Sequence, residues 1–65
     1  GDSRLHTIRV RAGLSQSGLA RRSGVTLRSI QMYEQRRKDL GNAAVSTVLA
    51  LARTLGCRIE DLLEP

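Results

Sequence analysis

Two short helix patterns joined by a glycine occupy residues 15–36, and this arrangement constrains the fold of the chain most. Ser15 and Thr26 each stand directly before a helix pattern, where a hydroxyl can accept one of the unpaired N–H groups of the first turn. Gly24, which lies between the two patterns, tolerates the positive φ that commonly ends a helix. The segment therefore predicts two short helices joined by a tight turn.

The second of these helices divides into an inward and an outward side. Ile30 and Tyr33, three residues apart, form its inward side. The outward side mixes arginine and glutamine with apolar groups, and consists of Leu27, Arg28, Gln31, Met32 and Gln35. An exposed helix face of this composition suits the floor of a DNA major groove.

The rest of the chain is also patterned for helices. Apolar residues recur at helical spacing on both sides of the central segment, and residues 36–43 read as a loop because Gly41 and Asn42 favour a turn. We predict one all-α domain, spanning residues 1–65 with a core at about 4–63, because 65 residues support no second domain. Its five helices are Ser3–Ala12, Gln16–Arg22, Leu27–Gln35, Ala44–Leu55 and Ile59–Leu63.

The positive charge of the chain is concentrated on the central segment. The net charge is +5, and residues 21–38 account for +5 by themselves, with six basic side chains against Glu34. This asymmetry is expected of a protein that binds a polyanion such as DNA. A solvated basic face is the alternative, and charge alone does not decide between them.

Seven positions of the central segment follow the pattern of a known family. They are Gln16, Leu19, Ala20, Gly24, Val25, Ile30 and Glu34. On these residues the segment resembles the helix-turn-helix of the phage-repressor and Cro family, also called the xenobiotic-response-element type, with a lambda-repressor-like domain. The resemblance extends over about residues 5–63. Further matches to the last two helices are the run L-A-R-T-L-G at residues 51–56, with Ile59, Leu62 and Leu63.

The resemblance implies a prokaryotic or phage-like transcriptional regulator, and in particular a repressor. Helix 3 would enter the major groove of double-stranded DNA, while helix 2 would lie across the backbone. One small domain presents few base contacts, so we expect a homodimer on a palindromic site. The expected location is the cytoplasm, in association with the nucleoid.

Four residues are candidates to contact bases, in the groove-facing places that the resemblance indicates. Arg28 is the best of them, since arginine can bond O6 and N7 of guanine together. A phosphate contact without sequence information is the alternative for Arg28. Leu27 and Met32 can touch a thymine methyl group, although a protein contact or plain exposure explains Met32 equally well. The candidate base-contacting residues are Thr26, Leu27, Arg28 and Met32.

The candidate phosphate contacts lie at the start of helix 2 and along and beyond helix 3. An amide at a helix N-terminus can bond a phosphate that the helix dipole also attracts. Family members often carry glycine where Arg36 stands, and the arginine adds a cation near the DNA. An ordinary solvated surface is the alternative. The candidate phosphate-contacting residues are Gln16, Ser29, Gln35, Arg36, Arg37 and Lys38.

Arg9 and Glu34 are two charges at inward positions. Arg9 stands beside Ile8 on the inward edge of helix 1, and Glu34 follows Ile30 by four residues on helix 3. The resemblance implies that these positions often bridge helix 1 to the end of helix 3. An inward charge needs a partner, because burying one alone is costly. We therefore predict an Arg9–Glu34 salt bridge, with separate solvated side chains as the alternative.

Enzymatic and metal chemistry find little support in the sequence. One His and one Cys supply no ligand cluster, and one Cys cannot form an internal disulfide. We expect no enzyme activity, cofactor, metal or small-molecule site, and the chain has no apolar run long enough for a membrane span. A protein–protein interaction module or an antitoxin-type component on the same helical scaffold is the rival function.

Overall fold

The computed structural model describes residues 1–65, and its regular structure is entirely helical. The predicted all-α class with five helices is confirmed, and each predicted helix begins and ends within one residue of its observed position. None of the helices is long and apolar enough to cross a membrane. The elements in chain order are α1 (Arg4–Arg11), α2 (Gln16–Ser23), α3 (Leu27–Glu34), a 3-10 helix (Leu40–Asn42), α4 (Val45–Leu55) and α5 (Ile59–Leu62).

Hydroxyl caps fix the starts of the first three helices. The side chains of Ser3, Ser15 and Thr26 each accept the backbone N–H three residues ahead, over 3.0, 2.9 and 3.1 Å. The capping roles predicted for Ser15 and Thr26 are confirmed. Ser3 was placed inside the first helix, but it precedes that helix as its cap and is buried. Each cap satisfies a donor that the helix start would otherwise leave unpaired.

The turn between α2 and α3 depends on Gly24. Its φ is 78°, and its N–H donates to the Ala20 carbonyl over 3.0 Å, which closes α2. Val25 then packs against the core, and α3 begins two residues later. A side chain at position 24 would make the left-handed conformation unfavourable, so glycine allows the chain to reverse here in few residues.

Helix α3 ends on an arginine in a conformation that glycine usually supplies. Arg36 has a φ of 58° and is the only residue other than glycine with a positive φ. Its N–H donates to the Tyr33 carbonyl over 3.1 Å, and the N–H of Arg37 donates to the Met32 carbonyl over 2.9 Å. This pair of bonds defines a Schellman motif. The motif therefore forms here despite the steric cost of a Cβ in the left-handed region.

An aliphatic core holds α3 in place. Helix α2 packs on α3 and α4, and α1 packs on α3 and α5. Residues 36–43 were predicted as a loop, but they contain the 3-10 helix, and Leu40 from that helix is buried in the core. The buried apolar residues are Leu5, Leu19, Ile30, Leu40, Val48, Leu51, Ala52 and Leu62. Because Ile30 is fully buried, the opposite face of α3 is directed to solvent.

Substitutions at position 36 separate backbone strain from side-chain contacts. We expect Arg36→Gly to be more stable than Arg36→Ala by about 1 kcal/mol, because alanine keeps the cost of a Cβ in the left-handed conformation. Both variants lack the guanidinium, so its loss cancels in the comparison. Urea unfolding followed by circular dichroism measures the difference. Equal stability of the two variants would show that the backbone relaxes out of the left-handed region.

Candidate nucleic-acid interface

The solvent-facing side of α3 carries most of the predicted base contacts. Positions 27, 28, 31, 32 and 35 lie on one side of a helix because successive residues rotate by about 100°. Thr26 and Arg28 are exposed, Leu27 is 38% exposed, and Met32 is half-buried. Thr26, Leu27 and Arg28 thus lie at the start of α3, and Met32 lies farther along the helix on the outer face that Leu27 and Arg28 share.

The hydroxyl of Thr26 is already engaged at the start of α3. It accepts the N–H of Ser29 over 3.1 Å and donates to the Ser29 hydroxyl over 2.9 Å. Because Ser29 accepts this bond, its own hydroxyl proton stays available to an external acceptor. The pair therefore presents a donor beside Arg28.

Most basic residues of the segment 21–38 have no acidic partner. The only acid in that segment, Glu34, turns inward, and its side chain is only 5% exposed. The solvent-facing surface of the segment is therefore cationic, without a negative group to offset it. Its five unpaired cations are Arg21, Arg22, Arg28, Arg37 and Lys38, all of them exposed.

The structure brings Arg9 and Glu34 together across the α1–α3 packing. Arg9 Nε donates to Glu34 Oε2 over 2.6 Å, and Arg9 Nη2 donates to Oε1 over 3.0 Å. The Arg9 side chain is only 10% exposed. Two parallel bonds of this kind fix both distance and orientation. A further bond, from Arg9 Nη1 to the Leu14 carbonyl over 2.8 Å, ties the α1–α2 connection to the same guanidinium.

Two further side chains meet the Glu34 carboxylate, and sequence reasoning did not assign either of them to it. Gln16 Nε2 donates to Oε1 over 3.1 Å, and His6 Nδ1 lies 3.0 Å from the same oxygen. His6 Nδ1 also lies 3.2 Å from Arg9 Nη2, so it donates to Glu34 or accepts from Arg9, according to the tautomer of its ring. The sequence signal for His6 was its position one helical turn before Arg9.

Glu34 stays ionised in this buried position. Burial by itself raises the pKa of a carboxyl group, but hydrogen bonds from Arg9, His6 and Gln16 outweigh it and lower the pKa of Glu34. The bond to Glu34 raises the pKa of Arg9. Both partners are therefore charged at neutral pH, and each compensates the other.

Comparison with known protein families shows the family to which this helical domain belongs. A family model described as helix-turn-helix matches residues 5–62. The chain belongs to the Cro/C1-type helix-turn-helix family. This family is one of DNA-binding domains and not of enzymes. Comparisons with curated proteins and with solved structures gave no significant match.

The helix-turn-helix domain places the predicted phosphate contacts in three different environments. Gln35, Arg37 and Lys38 are exposed at and beyond the end of α3. Gln16 is half-buried at the start of α2 and is bonded to Glu34. Arg36 differs from the others, because its guanidinium is bonded to Glu64 and to backbone carbonyls near the start of the chain.

Neutralising Glu34 tests how much the domain depends on its buried carboxylate. We expect Glu34→Gln to lower the free energy of unfolding at pH 7 by about 3–5 kcal/mol, because the Arg9 charge is then left buried without compensation. The matched control is Glu60→Gln, which removes an exposed carboxylate from α5. Urea unfolding followed by circular dichroism measures both. Equal effects of the two substitutions would contradict the dependence on Glu34.

The lowered pKa of Glu34 predicts that its contribution to stability depends on pH. The folded pKa of Glu34 lies below its unfolded value of about 4.3, so its stabilisation is fully present above that value. The stabilisation is lost as the pH falls through the lower folded pKa. The stability difference between the wild type and Glu34→Gln should therefore be constant from neutral pH to about pH 5 and should shrink below about pH 4. A difference that persists unchanged into strong acid would contradict the assignment.

Proposed function

We propose that this helix-turn-helix domain is a transcriptional repressor that binds duplex DNA sequence-specifically, with α3 in the major groove. The observation that carries the proposal is the separation of charge in residues 21–38. Five cations without acidic partners face solvent, while the only acid of the segment is buried in an ion pair. A surface of this kind attracts phosphates along the backbone, since the interaction is governed by charge.

In this arrangement the start and outer face of α3 read the bases. Arg28 has no carboxylate within salt-bridge distance, so its five N–H donors are available to O6 and N7 of guanine. Leu27 and Met32 contact thymine methyl groups. Thr26 stays a helix cap and contacts a base through its methyl group.

The phosphate contacts surround this face. Gln16 gives one amide hydrogen to Glu34 and keeps a second hydrogen for a phosphate, which the N-terminus of α2 also attracts. The Ser29 hydroxyl and the Gln35 amide donate to phosphates near the two ends of α3. Arg37 and Lys38 supply charge beyond its end. Arg36 is held by Glu64 in the free protein.

Two copies of the domain are proposed to bind together. One α3 spans only eight residues and offers few base contacts. A homodimer on a palindromic site doubles these contacts, with half-sites about one helical turn, or about 34 Å, apart. A repressor of this kind acts on chromosomal DNA, so its proposed location is the nucleoid.

Selection from a random duplex pool, followed by salt titration of the best sequence, tests the proposed function. We expect an enriched motif, and we expect log affinity to fall linearly with log salt at a slope of about −0.9 per phosphate contacted. Absence of an enriched motif, or binding that is insensitive to salt, would contradict the proposal. Absence of any DNA binding would favour the rival protein–protein module or antitoxin-type component.

Arg28 and Arg37 should respond differently to truncation, because one is proposed to read a base and the other a phosphate. Arg28→Ala should relax the base preference at one position of the motif and cost about 1–3 kcal/mol on the selected sequence. Arg37→Ala should weaken all sequences alike and make the salt slope shallower by about 1. Fluorescence anisotropy on matched and single-mismatch duplexes separates the two effects. A uniform loss in both variants would remove Arg28 from the base-reading set.

A further inference from the structure

Arg36 is the exception among the six basic residues of the segment 21–38. It donates to both carboxylate oxygens of Glu64, over 2.8 and 3.3 Å. It also donates to the carbonyls of Gly1 and Asp2, over 2.7 and 3.1 Å. The other five cations have no acid within salt-bridge distance, so Arg36, the first cation after α3, is the only one of the six that an acid neutralises.

The carboxylate of Glu64 occupies the donors that a phosphate would use. A guanidinium presents two parallel N–H groups, which bind carboxylate and phosphate oxygens with the same geometry. The bond to Glu64 raises the pKa of Arg36, and the bond to Arg36 lowers the pKa of Glu64, so both groups are charged at neutral pH. Glu64 and a DNA phosphate are therefore mutually exclusive partners for these two N–H groups.

The pair is open enough to exchange. The side chains of Arg36 and Glu64 are 49% and 34% exposed, so water and salt screen their attraction. Arg36 is adjacent in sequence to Arg37 and Lys38, which have no acidic partner and are proposed to lie at the DNA backbone.

We propose that Glu64 competes with DNA phosphates for the Arg36 guanidinium, and thereby sets a lower DNA affinity than the basic surface alone would give. This inference rests on the proposed DNA binding. As long as Glu64 holds the guanidinium, this phosphate contact is absent from the complex, and removal of the Glu64 carboxylate allows one further phosphate contact to form.

Glu64→Gln tests the competition, with Glu60→Gln as the matched control. Both substitutions remove one negative charge, but Glu60 is an exposed residue of α5 whose nearest cation, Arg58, lies 3.9 Å away. We expect Glu64→Gln to bind the selected duplex about threefold more tightly at low salt, with a salt slope steeper by about 0.9. Glu60→Gln should leave the slope unchanged. Equal changes in the two variants would overturn the inference, because net charge would then explain both.

A second comparison removes the cation itself. In an Arg36→Gly background, which retains a residue suited to the left-handed conformation, adding Glu64→Gln should no longer change affinity or slope. Circular dichroism and urea unfolding check that these variants are folded. A tightening that persists without Arg36 would overturn the inference while leaving DNA binding intact. Failure of the wild type to bind any duplex would overturn the proposed function as well.

Discussion

The position of the proposed recognition surface depends on the ion pair that the buried Glu34 carboxylate of α3 forms with Arg9. The carboxylate accepts hydrogen bonds from Arg9 on α1 and from Gln16, the first residue of α2. A buried charge costs several kcal/mol unless its partners are well placed, so the three helices must keep the relative positions that satisfy Glu34. The same guanidinium holds the Leu14 carbonyl, so the α1–α2 connection is fixed together with α3.

This interaction also shapes the electrostatics of the surface. Glu34 follows Ile30 by four residues, so helix geometry places both on the inward side of α3. The only acid of the segment is thereby removed from solvent, and the neighbouring cations face outward without a counter-charge. Stability and charge separation thus have one cause. The Arg9–Glu34 pair compensates both buried charges, and it leaves the charged side chains of the exposed surface positive.

The fold was predictable because local signals agreed with the long-range packing. The caps at Ser15 and Thr26, the turn at Gly24 and the helical spacing of apolar residues all indicated the same five helices, which the structure contains. The 3-10 helix was not predicted, because three residues carry no periodicity and Leu40 gave no sign that it enters the core. The partners of Arg36 could not be predicted either, because Gly1, Asp2 and Glu64 are distant in sequence and meet Arg36 only in the folded chain.

Amide chemical-shift mapping by NMR, with the selected duplex added to the wild-type domain, tests the central account most directly. If α3 reads the major groove, the largest changes should fall at Gln16, at residues 26–29 and at residues 35–38. Arg11 and Arg53 are exposed cations that belong neither to α3 nor to its flanks, and their amides should change little. Comparable changes at Arg11 and Arg53 would contradict the account, because the DNA would then be bound by positive charge anywhere on the surface.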